Sequence, residues 1–200
     1  YPLIEEADPL EEVLSNYKTL FAAKHLEMRK SKIGLELTDD NDLKLIDDLE
    51  TLLRKTETDM TIFFRNLSNV SKDMVLPEKH DISFLSEIMD AFYKPEEVKG
   101  EVLFFWKDWM NRYLIRLQKE TASDQERKQK MDLINPKYVL RNYMSQVAID
   151  AADTGDYSVI DELFQLLKNP YDEQPNAEKW FVKRPEWART KVGCSMLSCS

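Results

Sequence analysis

Apolar residues recur at three- and four-residue spacing along most of this chain, and the pattern is clearest between residues 135 and 174. Asn135 and Pro136 fit the N-cap and the first position of a helix. Gly155 fits its left-handed C-cap, and a second stripe ends at Asn169-Pro170. The two stripes comprise Val139, Leu140, Tyr143, Met144, Val147, Ala148 and Ala151, and then Ile160, Leu163, Phe164 and Leu167. Such spacing places residues on one helix face, so the stretch predicts a helical hairpin.

Six further helices are predicted before this hairpin. They follow Asp8-Pro9, the run Thr38–Asn41 and Asp59, and then cover residues of about 82–92, 95–121 and 123–134. Apolar faces predicted to be buried include Leu43, Ile46, Leu49, Leu52 and Leu53 in the second helix, and Met60, Phe63, Phe64 and Leu67 in the third. Ser123 and Glu126 match the capping box that starts a helix. No strand pattern of useful length appears before Pro170, so the predicted fold class is all-α, with about eight mostly antiparallel helices.

The first of these helices carries acidic residues in its first turn and basic residues in its last turns, as the helix dipole favours. Gly34 is predicted to end it. Its apolar face is predicted to be buried and consists of Leu10, Val13, Leu14, Tyr17, Leu20 and Phe21.

An aromatic stripe marks the fifth helix, which is predicted to begin at Pro95, to end near Thr121 and to be the longest. Its members are Val98, Val102, Phe105, Trp106, Trp109, Tyr113 and Leu117. Such a stripe could form a ligand groove, but aromatic side chains dominate buried area, which favours core. Gly100 lies inside the predicted helix, where glycine costs about 1 kcal/mol relative to alanine, so a close approach of another group is expected there.

The chain changes character after the hairpin. Residues 1–169 are predicted to form a helical domain, and residues 170–200 an irregular tail. Because disordered tails are poor in aromatic residues, Trp180, Phe181 and Trp187 predict that the segment Tyr171–Trp187 docks on a folded surface. Residues 190–200 are expected to be flexible.

Charge and motifs exclude several functions. The 28 basic and 37 acidic residues leave a net charge of −9, which argues against nucleic acid as a partner. No apolar run approaches the length of a membrane span, so no membrane partner is predicted. Neither a phosphate-binding glycine loop nor the kinase H-R-D or D-F-G motif occurs, and His25 and His80 lack metal-ligand spacing. No catalytic, cofactor-binding or metal-binding residue is therefore predicted in this chain.

The two cysteines, Cys194 and Cys199, both lie within the last seven residues. From the residues alone, they could be idle thiols, or they could bridge each other and close a small loop of little stabilising value. A solvent-reachable thiol near a chain end is also suited to exchange with a disulfide or a sulfenic acid.

Several motifs resemble the C-terminal end of the selenoprotein O family, whose members are kinase-like proteins that transfer AMP to other proteins. The resemblance rests on NPKYVLRNYMSQVAIDAADTGDY (135–157), NPYDEQP (169–175), PEWA (185–188) and the terminal Ser198-Cys199-Ser200. It implies a kinase-like half preceding Tyr1, which would bind ATP and Mg²⁺ or Mn²⁺. In the most distinctive motif, Arg141 could hydrogen-bond across an interface between lobes, anchor an acidic loop, or pack within the hairpin.

The resemblance also implies that Cys199 occupies the family's redox position and pairs with a cysteine of the kinase-like half. Cys194 has no counterpart and is the weaker redox candidate. The implied partners are that half, protein substrates with hydroxyl side chains and a thiol redox partner. The implied location is mitochondrial for a eukaryotic protein and cytoplasmic for a bacterial one. A stand-alone helical module that binds a partner through its aromatic stripe, without catalysis, is the alternative function.

Overall fold

Seven α-helices and four 3-10 helices make up the fold of the computed structural model, which describes residues 8–77 and 81–194. The α-helices are α1 (Asp8–Lys32), α2 (Asp42–Lys55), α3 (Met60–Leu67), α4 (Gly100–Leu117), α5 (Asp124–Ile134), α6 (Asn142–Ala152) and α7 (Ser158–Leu166). The 3-10 helices are Ile82–Ala91, Pro95–Glu97, Pro175–Trp180 and Glu186–Arg189. Within the described ranges, extended pairing is limited to an isolated bridge between Thr58 and Phe92. The all-α class is confirmed.

The aromatic stripe of α4 forms the centre of the larger core, as favoured above. Trp106, Trp109 and Tyr113 are completely buried. Buried polar atoms need hydrogen-bond partners, and two of these three side chains have one. Trp109 Nε1 donates to the Leu45 carbonyl, and the Tyr113 hydroxyl donates to the Ile33 carbonyl, both at 2.9 Å. These bonds hold α4 against α2 and the end of α1.

The start of α4 was predicted wrongly. Residues Pro95–Glu97 form a separate 3-10 turn, and α4 begins only at Gly100. Gly100 has a φ of +55°, which is incompatible with a helix interior and marks the break between the two. The close approach expected at Gly100 is also wrong, because a Cβ there would meet nothing within 4 Å. The longest helix is α1, with 25 residues.

The segment 135–141 also differs from the prediction. Asn135 is the C-cap of α5 rather than an N-cap, and α6 begins seven residues later, at Asn142. The Lys137 and Tyr138 amides both donate to the Pro170 carbonyl, at 2.8 and 3.0 Å. In a helix starting at Pro136, these two amides would have no acceptor within the helix and would bond to the Asn135 side chain; the Pro170 carbonyl takes that place. Downstream the hairpin is confirmed: α6 packs on α7, and Gly155 between them has a φ of +84°.

Several apolar side chains predicted to be buried are instead 44 to 63% exposed. They are Leu10, Val13, Leu14, Tyr17, Leu20 and Phe21 in α1, Leu43 in α2 and Met60 in α3. Ile160 and Phe164 of the second hairpin stripe, in α7, are exposed to a similar extent. Periodicity identified the apolar face correctly in each helix, but the neighbouring elements cover only part of that face. In α1, nothing within the described residues covers it.

The tail packs on the helical hairpin, which confirms the docking prediction for its first aromatic residues. Trp180 is buried, and its Nε1 donates to Glu162 of α7 at 2.9 Å. Phe181 contacts both the larger core around α4 and a smaller hydrophobic cluster formed by α6, α7 and the tail. Trp187 is 43% exposed and packs edge-on against Tyr143. The domain boundary at residue 169 stays a prediction.

Candidate functional site

Of the two cysteines predicted as redox residues, only Cys194 lies within the described residues. Cys199 lies outside them, as does His80. Cys194 is 1% exposed, and its Sγ lies 3.9 Å from the Asn142 carbonyl at the start of α6. His25 lies exposed on α1. Among the described residues, no group of three or more His, Cys, Asp or Glu side chains is placed to hold a metal ion.

Arg141 forms a buried bidentate ion pair with Asp59, a partner that sequence reasoning did not identify. The two N···O distances are 2.5 and 2.8 Å, and both side chains are almost fully buried. Asp59 is also the N-cap of α3, where its Oδ1 accepts from the Ile62 amide at 3.1 Å. Arg141 further donates to the Val182 carbonyl at 2.9 Å. One guanidinium therefore joins α3, the start of α6 and the tail.

A second ionic cluster joins the tail to the segment before α6. Lys137 pairs with Glu173 and Glu178, both at 2.6 Å. Although burial lowers it, the pKa of Lys137 is raised on balance by its hydrogen bonds to these two carboxylates. Arg65 of α3 reaches the same Glu173 at 2.7 Å. The tail is thus held by charge as well as by Trp180.

The most prominent exposed feature is the apolar face of α1. Every residue from Asp8 to His25 is exposed, so this part of α1 projects from the body of the fold. At 1.5 Å per residue, these residues span roughly 27 Å. We call the six apolar residues on this segment the α1 stripe: Leu10, Val13, Leu14, Tyr17, Leu20 and Phe21. An isolated helix of this length is marginal in water, so a surface that covered the stripe would stabilise the segment.

The second half of α1 carries apolar residues on two faces. Leu26, and Ile33 directly after the helix, pack in the main core, on the side where α1 contacts α2 and α5. The other face continues the α1 stripe through Phe21 and His25, whose rings stack at 5.6 Å. It leads to Met28, which is 44% exposed, and to Lys32. This face of α1 therefore stays exposed from its first turn to Met28, and Lys32 at its end is partly buried.

This face ends at a cleft of about 370 Å³ between α1, α2, α3 and the segment after Asn135. We call it the α1 cleft. Its lining is mostly apolar and includes His25, Met28, Lys32, Ile33, Ile46, Met60, Phe64 and Val139. Lys32 lies over the Phe64 ring, with its Nζ 4.4 Å from the ring centroid. Burial lowers the pKa of Lys32. In the part of the chain that the structure describes, no carboxylate pairs with Lys32.

Other charges at the α1 cleft are neutralised within the chain. Arg29 pairs with Asp47 at 2.6 Å and with Glu50 at 2.7 Å. Together with the all-α fold, this long exposed face and the cleft define a helical region with an open apolar surface. No helix in the described ranges has the length and apolar character that crossing a membrane requires.

Comparison with known proteins identifies the family. The family model described as "Protein adenylyltransferase SelO" matches residues 2–168, and the chain belongs to this family. The chain is 56% identical over 200 residues to the "Protein nucleotidyltransferase YdiU" of Flavobacterium johnsoniae. It is 42% identical over 207 residues to the protein of the same name from Rhodopirellula baltica, and 39% identical over 203 residues to that from Aromatoleum aromaticum.

The alignments cover all of this chain but only part of each relative. Each covers 100% of this chain, but only 37, 38 and 36% of the respective relatives. The chain thus spans little more than a third of the length of the curated relatives it matches.

Proposed function

We propose that this chain is the helical C-terminal region of a selenoprotein O-like, kinase-like enzyme that transfers AMP from ATP to Ser, Thr or Tyr hydroxyls of proteins. In this reaction the hydroxyl oxygen attacks the α-phosphorus of ATP and pyrophosphate leaves. The observation that carries the proposal is family membership across residues 2–168, supported by relatives named protein nucleotidyltransferases. ATP and Mg²⁺ or Mn²⁺ would be held by the part of the protein outside these 200 residues, and we assign no nucleotide or metal ligand here.

The contribution of this region is docking on that kinase-like part. The α1 stripe supplies the surface: six apolar side chains that are each more than half exposed. Covering what remains exposed of each would contribute about 1 kcal/mol per side chain. Roughly 6 kcal/mol is enough to hold two parts of one chain together, because the covalent link makes their association intramolecular.

Redox control through Cys199 is the second component of the proposal. Thiol exchange requires an accessible thiolate, and Cys194 is buried against α6 and poorly suited to it. Cys199 is the better candidate, with a cysteine of the kinase-like part as its partner. The relatives compared above are bacterial, which supports the cytoplasmic alternative over the mitochondrial one.

The test uses the intact family-length protein, incubated with labelled ATP, a divalent metal ion and protein acceptors, with and without reductant. We expect acceptors to gain the mass of one adenylyl group, with faster transfer under reducing conditions. In the Cys199→Ala variant the reductant should have no effect, whereas the matched Cys194→Ala variant should keep it. A gain of one phosphoryl group, or no transfer at all, would contradict the proposed reaction.

A stand-alone module that binds a partner through the aromatic stripe is disfavoured, because the large aromatic side chains of the stripe are buried. Trp106, Trp109 and Tyr113 are closed inside the core and cannot contact a partner without unfolding α4. The α1 stripe, by contrast, is exposed.

A further inference from the structure

The α1 cleft combines an apolar lining with one cation, Lys32, that no carboxylate among the described residues neutralises. The lining includes Met28, Met60, Phe64 and Val139. Methionine side chains adapt to the shape of an inserted group, and an aromatic ring adds contact area. A cleft of about 370 Å³ with this lining fits one or two apolar side chains of a protein segment.

Lys32 gives the cleft a directional polar feature. Its Nζ is held over the Phe64 ring, and its backbone carbonyl accepts from Asn135 Nδ2 at 2.8 Å. The residue is therefore fixed at both ends. Arg29, the neighbouring cation, is already paired with Asp47 and Glu50. A partly buried ammonium without a carboxylate is costly, and an approaching carboxylate would recover that cost.

We infer that the α1 cleft receives an apolar side chain flanked by an Asp or Glu, supplied by the remainder of the same family-length protein, and that Lys32 forms the ion pair with that carboxylate. The inference rests on the proposed function for the identity of the partner. Charge complementarity selects an acidic segment, and the apolar lining selects an apolar neighbour for that acid.

The remainder of the protein is the occupant because of continuity and chain length. The α1 stripe and the α1 cleft share one helix face, so a surface that covers the stripe also reaches Lys32. The curated relatives are more than twice as long as this chain, and this chain aligns along its whole length with about 37% of theirs. The rest of such a protein is tethered to α1 and therefore at high effective concentration near the cleft.

Zero-length cross-linking of the family-length protein tests the inference directly. A water-soluble carbodiimide joins an amine and a carboxylate in contact through an amide bond, with loss of water. We expect mass spectrometry to find Lys32 joined to an Asp or Glu outside these 200 residues. An equal mixture of ¹⁴N and ¹⁵N protein separates intramolecular from intermolecular links. Coupling only within these 200 residues, coupling only between two copies, or no coupling of Lys32 would overturn the inference.

Charge reversal provides the second test. In the family-length protein, Lys32→Glu should speed amide hydrogen exchange along α1 by about tenfold or more, because it places two like charges in the cleft. Lys55→Glu is the matched control: Lys55 also lies in the last turn of a helix, with its Nζ 4.7 Å from the centroid of the Phe105 ring. Lys32→Met, which keeps the apolar stem, should give a smaller increase. Equal exchange in wild type, Lys32→Glu and Lys32→Met would reject the ion pair.

Measuring AMP transfer on the same preparations separates the two proposals. Transfer without the Lys32 cross-link would reject the docking site and leave the proposed function intact. The cross-link without transfer would reject the proposed reaction and support the docking site.

Discussion

Replacing Arg141 by methionine would leave the Asp59 carboxylate buried without a counter-charge. Methionine keeps much of the arginine stem, so the change removes the charge and its hydrogen bonds more than the packing. Asp59 would retain the Ile62 amide at 3.1 Å and a weak bond from the Tyr93 hydroxyl at 3.4 Å. Neither group carries a compensating positive charge, so the carboxylate must stay ionised in the core, take up a proton, or draw the tail apart to reach water, and each of these costs free energy.

The magnitude follows from these contacts. Breaking a buried ion pair by removing one partner costs about 3–5 kcal/mol. Loss of the bond to the Val182 carbonyl adds about 1 kcal/mol, and the two contacts that Asp59 keeps offset part of the total. We therefore expect a loss of roughly 3–5 kcal/mol in the free energy of unfolding, a large fraction of the stability of a domain of this size.

Urea unfolding of wild type and variants at neutral pH measures this loss. The control is Arg112→Met, which removes two partly exposed pairs, with Asp48 at 2.8 Å and Asp108 at 2.9 Å, and should cost about 1 kcal/mol or less. Adding Asp59→Asn to Arg141→Met removes the stranded charge and should recover more than 1 kcal/mol. A cost for Arg141→Met no larger than that of Arg112→Met, or no recovery in the double variant, would refute the reasoning.

Three further changes test other features of the fold. Gly34→Ala should destabilise by about 2–5 kcal/mol in urea unfolding, because φ is +74° and the new Cβ would lie 2.7 Å from Met131 Sδ. Ser123→Ala removes the confirmed capping box of α5 and should cost about 1 kcal/mol, measured in the same way. Burial raises the pKa of Tyr113 to about 12, above its value of about 10 in the unfolded chain. Its contribution is fully present below about pH 10 and is lost as pH rises towards 12, so unfolding free energy should fall by roughly 2–3 kcal/mol over this interval, and by less in Tyr113→Phe.

Each of these has a matched comparison. The comparison for Gly34→Ala is Gly155→Ala. Gly155 has a φ of +84°, but a new Cβ would meet open space, so the free energy of unfolding should fall by only about 1–2 kcal/mol. The comparison for Ser123→Ala is Ser15→Ala, in the exposed part of α1, which should not lower the free energy of unfolding. Equal costs for the two glycine variants would contradict the packing argument at Gly34. An alkaline loss that is the same in wild type and Tyr113→Phe would contradict the assignment to Tyr113.

Local features were predictable because they depend on residues close together in the chain. The capping box of α5 links residues three apart, and the glycine that follows α6 needs only its own backbone conformation. Helix periodicity likewise depends on contacts between neighbouring turns. The family resemblance was also readable from contiguous motifs, and it is confirmed over residues 2–168.

Features that join distant segments could not be read this way. The segment 135–141 has good helix-start residues, but the Pro170 carbonyl takes the Lys137 and Tyr138 amides and delays α6 until Asn142. Arg141 stood out in its motif, yet its partner Asp59 lies 82 residues away and carries no signal that names it.

The first helix shows the division most clearly. Spacing by itself determined that α1 is a helix and which residues form its apolar stripe. It did not determine what covers them, because periodicity reports the apolar face of a helix and not the identity of its neighbour. Only the tertiary structure decided that Leu26 and Ile33 enter the core while Leu10 to Phe21 and the Lys32 end of the α1 cleft stay open, since α2 and α5 reach only the second half of α1 and only one of its sides.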